Sequence, residues 1–215
     1  MVSDFRKESF RNMAYVLVTV IGYLIGCFST ADTVSRVKNV NIHKEGTGNP
    51  GASNVTFILG WKMGVLVGGM DILKGIIASL LTTLITGNQL YGLFAGCGCI
   101  LGHMFPFYLK FHGGKGFATL IGVLFGFDQK FCLLAVLFIF LITWITDYIV
   151  LSTLNTAILF ALRVVDVTGF NPATIFVFAI VAIMFAKHWQ NLYRIFIAKS
   201  GEKGFSLLFA KKSAQ

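Results

Sequence analysis

Hydrophobic positions along this chain come in long blocks rather than in amphipathic stripes. No Asp, Glu, Lys or Arg occurs from Asn12 to Ala31, from Gly75 to Gly102, from Phe131 to Thr146 or from Val167 to Ala186. A helix crossing the hydrocarbon core of a bilayer takes about 20 mostly apolar residues. Blocks of this length lack favourable neighbours in water. The pattern therefore predicts an all-α integral membrane protein, a bundle of about seven transmembrane helices with cytoplasm-facing polar loops. The expected spans are Met13–Thr30, Lys62–Ile85, Leu90–Tyr108, Phe117–Phe127, Phe131–Thr146, Ile149–Val165 and Pro172–Lys187. The fourth is too short to cross without tilt or help from its neighbours. The fifth and sixth are separated only by Asp147 and Tyr148.

Composition agrees with this pattern. The chain has 215 residues, 56% of them hydrophobic and 13% charged, against roughly 25% charged in an ordinary soluble domain. The first apolar block follows Arg6, Lys7 and Arg11 as a signal peptide would. With no small-residue cleavage pattern before a soluble domain, it reads as a retained first helix. With no internal repeat or dividing linker, residues 1–215 read as one integral membrane domain.

Seven spans put the termini on opposite sides. One side then holds Arg36, Lys38, Lys44, Lys110, Lys115, Lys187, Arg194, Lys199, Lys203, Lys211 and Lys212. The other holds Arg6, Lys7, Arg11, Lys130 and Arg163. Basic residues favour the cytoplasm, so the first side is expected there. The net charge of +9 does not argue for nucleic acid, because the aromatics are mostly Phe, 22 of them, inside apolar runs. Membrane lipids and phosphate groups are the expected partners of these cations. Cys27, Cys97, Cys99 and Cys132 lie in apolar stretches without paired metal-ligand spacing. No metal and no cofactor is expected.

Three polar clusters fall on the predicted cytoplasmic side. The first runs from Gly46 to Asn54, Gly-Thr-Gly-Asn-Pro-Gly-Ala-Ser-Asn. Glycines let N–H groups converge on an anion, and Thr47, Asn49, Ser53 and Asn54 add side-chain donors. Ser53 or Asn54 can also cap the helix that follows. A plain turn between helices would read the same way. The second cluster contains His103, Phe105 and Pro106, then Gly113-Gly114-Lys115-Gly116. Lys115 is a point charge in permissive backbone, either for a phosphate or as a topological marker; the Walker A spacing is absent. In the third, His188, Asn191 and Arg194 are three apart on one helix face, flanked by Trp189 and Tyr193 at headgroup level. Asp71 and Lys74 add an ionisable pair inside an apolar helix, structural or catalytic.

Taken in order, these motifs resemble the bacterial membrane family of acyl-phosphate-dependent glycerol-3-phosphate acyltransferases (PlsY). That family reads Gly-Ser-Gly-Asn-x-Gly-Ala-Thr-Asn, Asp-x-x-Lys-Gly, His-x-Phe-Pro with Phe-x-Gly-Gly-Lys-Gly-x-Ala-Thr, and His-x-x-Asn-x-x-Arg. The resemblance covers nearly the whole chain. It implies seven helices in a bacterial plasma membrane and a cytoplasm-facing site. It also implies transfer of a fatty acyl group from acyl phosphate to glycerol 3-phosphate, giving lysophosphatidic acid, with a substrate phosphate assisting as base. By motif match Lys115, His188 and Asn191 are the catalytic set. Thr47, Gly48, Asn49, Gly51, Ser53 and Asn54, with Gly113, Gly114 and Gly116, are the substrate-phosphate set. The His-x-x-x-x-Asp signature of other glycerolipid acyltransferases is absent.

Three positions depart from the family pattern. Gly26-Cys27-Phe28-Ser29 replaces Gly-Ser-x-Pro, Phe57 replaces an Arg, and Asp147-Tyr148-Ile149-Val150 replaces Arg-Tyr-x-Ser. A missing charged hydrogen bond is worth roughly 1.5–3 kcal/mol. Arg36, Lys62 or Arg194 is expected to supply the charge absent at Phe57. Two alternatives stand beside the main reading. One is a non-catalytic or altered paralogue that binds a phospholipid precursor. The other is a small transporter, which would carry polar groups at mid-membrane.

Overall fold

The computed structural model describes residues 2–197. Lys199, Lys203, Lys211 and Lys212, part of the sidedness count, lie outside the described residues. Every regular element described is helical. Among the described residues six helices are long and apolar enough to cross a membrane, and Phe117–Phe127 is a shorter apolar helix.

The first helix, α1 (Val2–Cys27), ends at Cys27, short of the predicted Thr30. The reason is Ser29, whose hydroxyl accepts the Asp32 N–H and caps a new helix, α2 (Thr30–Val37). A polar loop then leads to α3 (Ala52–Leu59), and Gly60, at φ +88°, turns the chain into α4 (Trp61–Ile76). This helix continues through a π turn, Ile77–Leu81, into α5 (Thr82–Thr86), which Gly87 stops at φ +64°. Asn88 caps α6 (Gln89–Met104). After a single 3₁₀ turn, Gly116 opens α7 (Phe117–Phe127). Asp128 caps α8 (Gln129–Thr146); Asp147, at φ +59°, separates it from α9 (Ile149–Thr168). A capping box at Asn171 and Thr174, with Pro172 in the first turn, starts α10 (Pro172–Phe196).

At about 1.5 Å per residue the eleven residues of α7 extend only some 17 Å. Their short reach is matched by burial: Leu120, Val123 and Leu124 are inaccessible, packed with Ile100, Phe160, Ile180 and Met184. Helix α8 is the opposite case. Leu133, Leu134, Leu137, Phe140, Leu141, Trp144 and Ile145 all point outward. An apolar exterior beside buried Asp71, Lys74, His103 and His188 is the inverse of a soluble protein and fits hydrocarbon surroundings.

Helices α1 and α6 meet backbone to backbone. A Cβ on Gly22 would lie 1.9 Å from the Ala95 carbonyl oxygen, and one on Gly102 would lie 2.0 Å from that of Tyr23. Gly26 and Gly98 make the same close approach, so each helix presents two glycines four residues apart. Lipid supplies no hydrophobic drive between helices, and such small-residue seams let van der Waals packing replace it. At the end away from the polar loops, Gln89 donates to the Phe127 carbonyl at 2.8 Å, and Asp128 pairs with Arg163 at 2.8 Å. The Phe131 N–H, then the Arg163 guanidinium, hold the Asp128 carboxyl below the usual carboxylate range.

Candidate functional site

The polar loop before α3 is folded by one side chain. Asn54 is buried, and its Nδ2 donates to the carbonyls of Ile42 (3.2 Å) and Glu45 (3.1 Å). Its Oδ1 accepts the Thr47 N–H at 2.8 Å. Both amide hydrogens are used in this way, so Asn54 shapes the loop rather than presenting a donor outward. Gly46 is required at that point: it sits at φ +59°, and a Cβ would lie 2.2 Å from Asn54 Oδ1. The N-cap of α3 is Gly51, not Ser53 or Asn54, and no side chain caps it. Extended backbone at Gly51 (φ −138°) starts the helix one residue before Ala52, which places Ser53 and Asn54 inside its first turn. Thr47 and Ser53 are exposed; Gly48, Asn49 and Gly51 are half-buried. His43 Nε2 reaches Asp32 Oδ1 at 2.8 Å, which ties the loop to α2.

Asp71 and Lys74 are joined by a third residue, His103. The Lys74 ammonium contacts Asp71 Oδ1 at 2.8 Å, His103 Nδ1 at 2.9 Å and the Phe28 carbonyl oxygen at 3.0 Å. An ammonium has three hydrogens and nothing to accept with, so His103 Nδ1 is the acceptor and all three hydrogens are taken. The Phe28 carbonyl is available because α1 stops there. Thus the ion pair joins α4, α6 and the α1–α2 break, and the structural role left open by the sequence fits it. Tyr108 strengthens the same corner, donating to the Cys27 carbonyl at 2.8 Å.

The glycines after His112 pack against the end of α6. The Gly113 N–H donates to the Met104 carbonyl and the Gly114 N–H to the His103 carbonyl, both at 3.1 Å. A Cβ on Gly114 would lie 2.3 Å from His103 Nε2. These two N–H groups are turned into the protein, away from any anion. Gly116 differs: it adopts φ +90° and opens α7, whose N-terminus has no side-chain cap.

Lys115 is carried across to α10. Its ammonium donates to Asn191 Oδ1 at 2.8 Å, and it lies within electrostatic reach of His188. His188 is buried, with Nδ1 2.9 Å from the Met184 carbonyl oxygen. A carbonyl only accepts, so Nδ1 carries the proton and Nε2 is the remaining acceptor. Lys187, in sequence only one of the topological cations, donates to the Met104 carbonyl at 2.9 Å and stands 4.5 Å from the Phe105 ring centroid. The Lys115, His188 and Asn191 set is therefore brought together from two distant stretches of chain.

Two clefts border these groups. One, too tight to hold a water molecule, is lined by Phe28, Ser29, Pro50, Lys74, His103 and Gly114. The other is a shallow recess lined by Ile149, Val150, Asn191, Arg194 and Ile195, with an enclosed volume of about 10 Å³, room for about one water molecule. Phe57 does not share the inward face of Asn54; it is 64% exposed and lies beside Gly46. Of the three cations considered to replace the missing Arg, Arg194 is the one that borders the Asn191 cleft.

Known proteins repeat both the motifs and the architecture. The family model described as glycerol-3-phosphate acyltransferase matches residues 16–198. Glycerol-3-phosphate acyltransferase 1 of Oceanobacillus iheyensis is 35% identical over 210 residues, spanning 94% of this chain and 100% of its own length. The Aquifex aeolicus glycerol-3-phosphate acyltransferase is 34% identical over 187 residues, 85% of this chain and 96% of its own. The crystal structure of the integral membrane enzyme PlsY in its glycerol 3-phosphate form superposes with a TM-score of 0.81 at 29% identity, covering 90% of this chain and 96% of that one. A lysophosphatidic acid form of PlsY gives 0.79 at 29% identity, with 91% and 98% covered. Shared sequence along nearly its whole length and a shared helical architecture make this chain a member of the glycerol-3-phosphate acyltransferase family.

Proposed function

We propose that this protein transfers a fatty acyl group from acyl phosphate to the 1-hydroxyl of glycerol 3-phosphate. The observation that carries this is the convergence of Lys115, Asn191 and His188 at the end of the bundle where Pro50 of the polar loop lies beside Gly114, with Asn191 at a shallow surface recess. Relatives named for this acyl acceptor, and PlsY structures in glycerol 3-phosphate and lysophosphatidic acid forms, support the same acceptor and product here.

The hydroxyl oxygen attacks the acyl carbonyl carbon, and the bond from that carbon to the phosphate oxygen breaks. Inorganic phosphate leaves, and the hydroxyl proton passes to phosphate oxygen. Acyl phosphate is already activated, so the protein's part is positioning and charge neutralisation. Lys115 opposes the phosphate of glycerol 3-phosphate, and the Asn191 amide N–H groups and His188 Nε2 orient its hydroxyls. The uncapped start of α3 binds the second phosphate, with Thr47, Gly48, Asn49, Gly51 and Ser53. Asn54, Gly113 and Gly114 hold the backbone in shape, and Gly116 frees the start of α7. Arg194 replaces the charge missing at Phe57. Residues 1–215 act as one domain.

The working end faces the cytoplasm of a bacterial plasma membrane. The cation balance and the bacterial relatives support this. Purified protein given acyl phosphate and glycerol 3-phosphate is expected to form lysophosphatidic acid; absence of product removes the proposal. A cysteine in place of Lys110 is expected to resist an impermeant thiol reagent in intact cells. Rapid labelling from outside would invert the topology.

A further inference from the structure

We propose that Lys187 is a positioning residue that locks the Lys115 loop onto α10 and so fixes the spacing of Lys115, His188 and Asn191. This inference rests on the acyltransferase reading above. Two lysines cross the same gap in opposite directions. From α10, Lys187 donates to the Met104 carbonyl at 2.9 Å and to the Gly113 carbonyl at 3.5 Å. From the loop, Lys115 donates to Asn191 Oδ1 at 2.8 Å. The anchor points are two residues apart on the loop, at Gly113 and Lys115. On the helix they are one turn apart, at Lys187 and Asn191, with His188 between them.

The place where Lys187 lands gives it leverage. Met104 and Gly113 are the two ends of the excursion through residues 105–112, and the Gly113 N–H already donates to the Met104 carbonyl. One half-buried ammonium bridges both carbonyls, and the Phe105 ring at 4.5 Å offers its face to the charge. The loop neck is thereby fixed to the helix turn that carries His188, whose ring is itself anchored to the Met184 carbonyl. Lys115 and His188 are assigned to holding glycerol 3-phosphate, so a clasp beside His188 acts first on the binding of that substrate rather than on folding alone.

The test uses the full chain in detergent or vesicles, comparing wild type with Lys187→Met and Lys187→Arg. Lys187→Met is expected to raise the KM for glycerol 3-phosphate about tenfold or more with a smaller change in kcat, and Lys187→Arg to restore much of the loss. Hydrogen exchange at the Gly113 and Gly114 amides is expected to speed up in Lys187→Met, while exchange within α8 stays as in wild type. A fall in Vmax at constant KM would mean that Lys187 only supports folding, and would overturn the proposal. Unchanged exchange at Gly113 and Gly114 would overturn it as well. If wild type forms no lysophosphatidic acid, the acyltransferase reading fails by itself, and the exchange result alone then decides whether the clasp exists.

Discussion

Two clusters in this protein are built from nearly the same parts. Asp71, Lys74 and His103 make one; Asn191, Lys115 and His188 make the other. Each has a lysine, a histidine and a short side chain ending in an oxygen acceptor. They differ in what surrounds the lysine. The Lys74 side chain is 7% exposed, and its three hydrogens go to Asp71, His103 and the Phe28 carbonyl. Lys115 is half-exposed, and Asn191, its acceptor, borders a shallow recess at the surface. A saturated, enclosed ammonium joins helices. A half-exposed one beside a surface recess is open to a ligand, as the proposed function requires. Residue type does not distinguish the two clusters, whereas access does.

The largest effect is expected at the enclosed cluster. Lys74→Met leaves a buried Asp71 carboxylate without its main counter-charge, a change that costs about 3–5 kcal/mol in comparable sites. The variant should lose most of its folded yield or melt far below wild type in detergent. Combining it with Asp71→Leu should recover part of that loss, because the unpaired charge is gone. A Lys74→Met variant that melts normally and fails only in substrate binding would erase the distinction between the clusters.

Lys115→Ala should do the reverse. Loss of a charged hydrogen bond to phosphate, about 1.5–3 kcal/mol, corresponds to a fall in kcat/KM of roughly ten- to 150-fold. Melting should stay close to wild type, and Lys115→Arg should rescue only in part, since a planar fork replaces a point charge. Unaltered kinetics in the alanine variant would return Lys115 to a topological role.

A smaller effect sharpens the picture of the open cluster. Arg194 borders the Asn191 cleft, so Arg194→Ala should raise the KM for glycerol 3-phosphate several-fold, of the order of a partly exposed ionic contact. Adding Phe57→Arg should restore some of it, and Arg36→Ala and Lys62→Ala should change little. Equal losses from all three alanine variants would disfavour Arg194 as the replacement charge.

The smallest effect belongs to the far end. Asp128 has a lowered pKa because the Phe131 N–H and then Arg163 favour its charged form. The stability it contributes is present above the unfolded value, about 3.9, and is lost as pH falls through the lower folded value. Asp128→Asn should flatten the acid limb of a melting-temperature profile below about pH 4 and leave activity at neutral pH unchanged. An altered neutral-pH KM would couple the far end to the site.

The spans were legible because lipid leaves charge-free runs as an unmistakable trace, and Asp147–Tyr148 does separate two of them. The break at Phe28–Ser29 was not, since a single hydroxyl cap inside an apolar run gives no periodic signal. The Gly22/Gly26 and Gly98/Gly102 pairs did carry a signal, small residues four apart, which the polar motifs overshadowed. Motif order brought Lys115, His188 and Asn191 to one reading. It could not assign Asn54, Gly113 and Gly114 to scaffold, because sequence shows a donor without showing where its hydrogens go. Lys187 was hidden for a related reason: its carbonyl partners have no residue identity to recognise.

The glycine seam between α1 and α6 also bears on the order of assembly. During synthesis α1 emerges first, yet the surface that accepts Gly22 and Gly26 belongs to the third long helix. Until α6 has been made, α1 has no closely fitted neighbour, and the carbonyl left open at Phe28 meets Lys74 before His103 exists to complete that cluster. Docking of α1 and closure of the Asp71–Lys74–His103 cluster therefore coincide in one late step, after residue 103 has left the ribosome and entered the bilayer. Quality control acting before that step would see a helix hairpin carrying an ion pair whose lysine still lacks the His103 acceptor.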